Sequence, residues 1–164
     1  MNLRSKIVIL IFLFVASCFH NVKRGLRAYN YAFAVSVVET YRVFYDFIAS
    51  EEGTYIICKE LIDEHKKQGI YDENLLQRQC EQKVKEVESK FDNHLTIVAS
   101  ALELFENSID VWDKIEDKRK REIVGAVITA VDSLIEFLES LQVKIPDKLI
   151  DVLGYMNNLS GALK

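Results

Sequence analysis

A seam of apolar residues recurs every three or four positions over thirty residues, and it limits the folds open to this chain more than any other feature. Steps of three and four residues return a side chain to the same face of an α-helix, and Glu and Lys fill the positions between. The pattern predicts one long helix packed nearly parallel or antiparallel to its neighbours. Other amphipathic segments in the chain favour an intramolecular bundle, with an oligomeric coiled coil as the alternative. The members of the seam are Leu76, Cys80, Val84, Val87, Phe91, Leu95, Val98, Leu102 and Phe105.

Four further segments have helical apolar periodicity. They are an aromatic-rich stretch from Leu26 to Ser50, a shorter one from Thr54 to Lys67, a third from Ile123 to Leu141, and a last stripe from Leu149 to Met156 after Pro146. The chain of 164 residues has one proline and six glycines, which are few turn-forming residues for a fold of many strands. The predicted fold is therefore all-α, a single-domain bundle of four to five helices.

Local signals set the expected helix boundaries. Gly53 is expected to end the first helix in a left-handed conformation, and Thr54 to cap the second. Residues 68–72 are predicted to form a turn, at whose end Asp72 is a candidate N-cap for the long helix. Asn107-Ser108 is expected to break the long helix.

The first twenty residues have the three-part layout of a secretory signal peptide. Arg4 and Lys6 are basic, Ile7 to Val15 is an unbroken apolar run, and Ala16-Ser17-Cys18 supplies small residues. The apolar run is well short of the roughly 20 residues that span a bilayer. We predict a signal peptide over 1–17 and a secreted all-helical domain over 18–164, with an uncleaved membrane anchor as the alternative.

The end of this segment also resembles a bacterial lipobox. In Val15-Ala16-Ser17-Cys18, the resemblance implies that Cys18 is lipidated and becomes the new N-terminus. The mature chain would then be a membrane-anchored lipoprotein instead of a freely secreted protein. Both hypotheses stay open at this point.

Cys58 and Cys80 are placed symmetrically about the predicted turn, eleven residues on either side of Gly69. Each cysteine is therefore roughly 16 Å along its helix at 1.5 Å per residue, level with the other in an antiparallel hairpin. Export to an oxidising compartment makes a disulfide between them the expected outcome. The alternative is a pair of buried free thiols.

Charge and motifs exclude several functional classes. Removing residues 1–17 leaves 19 basic and 25 acidic residues, a net charge near −6, which argues against nucleic acid as a partner. The basic run 118–121 is flanked by acids, as on a solvated helix face. The histidines His65 and His94 are expected at one exposed and one boundary position. No catalytic, metal or cofactor motif occurs, so we expect neither an enzyme nor a bound cofactor.

These observations favour a secreted, non-enzymatic helical protein that binds a protein or a small apolar ligand outside the cytosol. The aromatic-rich stretch from Leu26 to Ile48 motivates this hypothesis, although its side chains also suit a core. The alternative is an envelope protein that is anchored through Cys18 or acts on membranes with its amphipathic helices. Asn158-Leu159-Ser160 is an N-glycosylation sequon, which matters only in a eukaryotic secretory pathway. The pattern does not decide between a monomer and a homo-oligomer.

Overall fold

The computed structural model describes residues 22–69 and 72–163, and in these two segments the chain is helical with no β-strand. The single-domain, all-α prediction is confirmed with five helices. The signal peptide and Cys18 lie outside the described residues. In chain order the elements are α1 (Val22–Ala49), α2 (Glu51–Gln68), α3 (Glu73–Ile109), a 3-10 turn (Trp112–Lys114), α4 (Asp117–Ser140) and α5 (Asp147–Ala162).

The long helix α3 lies at the centre of the bundle. Its 37 residues span about 55 Å, and it packs against α1, α2 and α4, while α5 closes the bundle against α4 and α1. Phe91, Val98 and Phe105 of the apolar seam are fully buried. Helices of the same chain therefore cover the seam, as predicted for an intramolecular bundle.

The α2–α3 hairpin matches its sequence signals. Gly69 has φ 67° and ends α2 in the left-handed conformation, and the Asp72 carboxylate accepts a hydrogen bond from the Leu75 N–H at 3.0 Å. A disulfide joins Cys58 to Cys80 with their Cα atoms 5.5 Å apart. The predicted disulfide-linked hairpin is confirmed.

The boundary between α1 and α2 differs from the prediction. Ser50, not Gly53 or Thr54, separates the helices, and its hydroxyl accepts a hydrogen bond from the Gly53 N–H at 2.9 Å. Gly53 lies in the first turn of α2, where a Cβ atom would be 1.9 Å from the Phe47 carbonyl oxygen. The glycine is therefore needed for a close approach of two backbones and not for a left-handed cap.

The expected break at Asn107-Ser108 is also wrong. α3 continues to Ile109, and the buried Ser108 hydroxyl donates to the Phe105 carbonyl oxygen at 2.7 Å. Because the helix itself satisfies the hydroxyl, a serine is compatible with the helix interior at this position. The chain turns only afterwards, where buried Trp112 packs edge-on against Phe105 with ring centroids 5.8 Å apart.

Candidate functional site

α1 has apolar residues on two opposite sides. One side enters the core through Leu26, Phe33, Phe44 and Ile48, as the sequence pattern predicted. Tyr41, predicted on the same side, is 44% exposed.

The other side faces solvent and includes Tyr31, Val35 and Val38, with exposed fractions of 73%, 41% and 54%. Residues two positions apart differ by about 200° around a helix, so Tyr31 points away from the side on which Phe33 is buried. We call the stripe of Tyr31, Val35, Val38 and Arg42 the outer face of α1.

A groove of about 580 Å³ runs along the outer face toward the start of α5. Tyr31, Val35 and Val38 line it together with Arg42 of α1 and Lys148 of α5. The Lys148 ammonium pairs with the Glu39 carboxylate at 2.8 Å, which closes one side of the groove. Arg42 is exposed and has no ion pair within residues 22–69 and 72–163. The groove is therefore apolar along its floor and has a cation at one end.

Ionic contacts with the end of α3 hold the start of α1. Lys23 pairs with Asp113 at 2.9 Å and donates to the Asp110 carbonyl oxygen at 2.7 Å, and Arg27 pairs with the Asp110 carboxylate. The hydrogen bond from Lys23 holds the pKa of the Asp113 carboxyl below its usual range. Glu106 extends this network by pairing with Arg27 at 3.6 Å.

Tyrosine and phenylalanine rings hold the rest of α1. Tyr29 stacks on Tyr155 of α5, with ring centroids 3.3 Å apart and ring planes 9° from parallel. Burial raises the pKa of Tyr155 to about 12, with a further contribution from Tyr29, and it raises the pKa of Tyr29 as well. Phe44 stacks on Phe91 of α3. The other helices therefore contact the inner side of α1 along its length, and the outer face is exposed to solvent.

A second, smaller groove of about 390 Å³ lies beside the disulfide. Cys58, Cys80 and Ile62 line it with the exposed ring of Tyr55. Cys58 is buried and Cys80 is partly exposed. This groove has fewer exposed apolar side chains than the outer face of α1, and Glu51 is the charged residue among those that line it.

Comparison with known proteins gives no matching family model, no matching curated protein and no matching solved structure. The candidate site therefore rests on this chain's own residues.

The burial of His65 differs from the prediction made from the sequence, whereas His94 lies at a boundary position as expected. His65, expected at an exposed or boundary position, is buried at the end of α2 and hydrogen-bonds through Nε2 to the Gln79 side-chain oxygen at 2.7 Å. Because that oxygen is an acceptor, the imidazole Nε2–H donates. His94 is half-buried and stacks on Phe137, with ring centroids 5.0 Å apart. Among the described residues, no group of three or more His, Cys, Asp or Glu side chains is arranged to hold a metal ion.

Two further features concern the surface. Asn158 of the sequon is exposed on α5. Across 22–69 and 72–163, no helix combines the length and the apolar composition that crossing a membrane requires.

The sequence pattern did not single out the outer face of α1, because the core side of the same helix has the larger apolar residues. The available signal was Tyr31, Val35 and Val38 at i, i+4 and i+7, a second helical stripe in the same segment. A helix with one buried side normally has polar residues opposite it, so the second stripe is the informative one.

Proposed function

We propose that this protein is an exported, non-enzymatic binding protein that contacts a protein partner through the outer face of α1. The observation that carries the proposal is the apolar stripe of Tyr31, Val35 and Val38 on the solvent side of a helix whose other side is already buried. Contiguous exposed apolar residues mark interaction surfaces in monomeric domains. The disulfide between Cys58 and Cys80 supports export, since such bonds persist in oxidising compartments.

The shape of the groove favours a protein partner over a small apolar ligand. Small-molecule sites are concave and bury most of the ligand surface, whereas Tyr31 and Val38 remain more than half exposed. An amphipathic helix can occupy an open groove along a helix by placing residues spaced i, i+3, i+4 and i+7 in it. The Arg42 guanidinium favours an aromatic or acidic residue at the corresponding end of the partner.

A displayed library of amphipathic helices tests the proposal, because it samples many partner sequences at once. The library fixes an apolar stripe, randomises the other positions, and is selected on exported full-length protein immobilised sparsely enough to keep molecules apart. We expect enriched sequences that bind the wild type and lose binding to Val38→Arg. The matched control is Ile97→Arg on α3, because Ile97 is 56% exposed and Val38 is 54% exposed.

Both substitutions lie on the surface, so circular dichroism should show equal helicity in the two variants and the wild type. Enriched helices that bind Val38→Arg as well as the wild type would overturn the proposal, and so would a selection that yields no binders. Retained binding to Ile97→Arg confirms that the effect belongs to the outer face and not to added charge.

A further inference from the structure

We infer that the partner of the outer face of α1 is a second copy of this chain, packed α1 to α1 in antiparallel orientation. The inference rests on the proposed function and names its partner. A two-fold axis perpendicular to the two helices passes between Val35 and Val38. The result is a symmetric homodimer in which each copy contributes the same surface.

The spacing of the outer face is symmetric in the way that such an axis requires. Tyr31, Val35, Val38 and Arg42 follow one another at intervals of four, three and four residues. Reversing this series about its midpoint places Val35 opposite Val38 of the second copy, and Tyr31 opposite Arg42. In an isologous interface each contact occurs twice, so two Val–Val contacts and two Tyr–Arg contacts form together.

The paired residues are chemically complementary. A guanidinium over the face of a tyrosine ring is attracted by the ring quadrupole. Arg42 is available for this role because it has no ion pair within the described segments, and Tyr31 is the most exposed of the large apolar residues there. A parallel arrangement would instead place Arg42 against Arg42 and leave both tyrosine rings without a cation. Charge and aromatic placement therefore select the antiparallel orientation.

The charge of the outer face also favours it over the rest of the surface as the site of contact between two copies. The whole chain has a net charge of −4, so two copies repel one another in most orientations. Of the charged residues that line the groove on this face, Arg42 and Lys148 are basic and Glu39 is acidic, a net charge of +1. Two copies meet there without the repulsion between acidic surfaces.

A contact between one helix of each copy is small compared with the roughly 1,600 Å² of a standard stable interface. We therefore expect a dimer that dissociates on dilution. Sedimentation equilibrium of the exported full-length protein over a wide concentration range should show a monomer–dimer equilibrium. Val38→Arg should raise the dissociation constant by about tenfold or more, because it places a charge in the apolar contact. Ile97→Arg should leave the dissociation constant unchanged.

Photo-crosslinking tests the orientation. With benzoylphenylalanine replacing Tyr31, irradiation should join position 31 to residues around Arg42 in a dimer-sized product, identified by mass spectrometry of the crosslinked peptides. Positions 31 and 42 of one helix are about 16 Å apart, so a crosslink between them joins two chains. In the dimer-sized product, a crosslink from position 31 to another helix of the second copy, or to its position 31, overturns the antiparallel arrangement.

The two proposals fail in different ways. A chain that stays monomeric at all concentrations, while library helices bind its outer face, overturns the homodimer and leaves the binding function standing. A dimer that forms equally well in Val38→Arg uses another surface, which also overturns the inference. If the wild type neither dimerises nor binds any helix of the library, both proposals are overturned.

Discussion

Phe44 of α1 stacks on Phe91 of α3, with ring centroids 3.8 Å apart and ring planes 17° from parallel. Both side chains are fully buried. Tyr45 meets Phe44 edge-on, and the ring of Phe137 of α4 is 6.5 Å from that of Phe91 between centroids, with ring planes 28° from parallel. This cluster joins α1, α3 and α4, so it fixes the side of α1 that remains for a partner.

Phe91→Ala should destabilise the protein by about 3–5 kcal/mol, because it removes a buried ring and leaves a cavity between three helices. Urea denaturation followed by circular dichroism measures the loss. Tyr31→Ala is the control: its ring is exposed, so the free energy of unfolding should change by about 0.5 kcal/mol or less. A loss below about 1 kcal/mol at Phe91 would contradict the packing described for this cluster.

Gly53→Ala should destabilise the protein by about 1–3 kcal/mol. The new methyl group would be 1.9 Å from the Phe47 carbonyl oxygen, so the corner between α1 and α2 must open.

Gly125→Ala on α4 is the matched control for Gly53→Ala. There a Cβ atom meets nothing within 4 Å, and alanine should stabilise the helix by about 0.5–1 kcal/mol. Thermal unfolding of the two variants should therefore shift in opposite directions. Equal shifts would contradict the close approach at Gly53.

Removal of the disulfide should cost about 3 kcal/mol in the chain-entropy account, since Cys58 and Cys80 close a loop over a sequence separation of 22 residues. The paired variant Cys58→Ala with Cys80→Ala measures this cost by urea denaturation. Intact mass of the exported wild type should increase by about 2 Da on reduction under denaturing conditions, for the two hydrogens gained. No mass change would show that the two thiols were free.

The helices of this chain could be predicted from its sequence because their signals are local. The apolar period from Leu76 to Phe105 and the Asp72 cap act within one or two turns, and the symmetric cysteines needed only the turn at Gly69. The α1–α2 corner could not be predicted in the same way. There Gly53 is required by the carbonyl oxygen of Phe47, a neighbour that becomes close only once both helices are placed.

The candidate site was harder to predict than the fold. Val35 and Val38 are ordinary residues for a helix interior, so the second apolar stripe of α1 does not by itself show that this side of the helix is exposed. Their exposure depends on where α3 and α5 contact α1, as the Phe44–Phe91 and Tyr29–Tyr155 stacks show. Tyr41 illustrates the same limit, because its spacing matches the core side while its ring is partly exposed.

Alkaline pH should weaken the contact between α1 and α5. The pKa of Tyr155 is about 12 in the folded protein, above the ordinary value of 10.0, because burial beside Tyr29 disfavours the phenolate. A raised pKa means that the folded state holds the proton more tightly than the unfolded state does. The stability from the neutral hydroxyl is therefore fully present below pH 10 and is lost as the pH rises toward 12.

Tyr155→Phe isolates the contribution of this one phenol to the loss of stability at alkaline pH. The variant keeps the ring stacked on Tyr29 and has no phenol to ionise at position 155. Urea denaturation at several pH values between 9 and 12 should show a steeper decline of stability in the wild type than in Tyr155→Phe. Parallel declines in the two proteins would mean that Tyr155 ionises equally easily in the folded and unfolded states, contrary to its burial against α1.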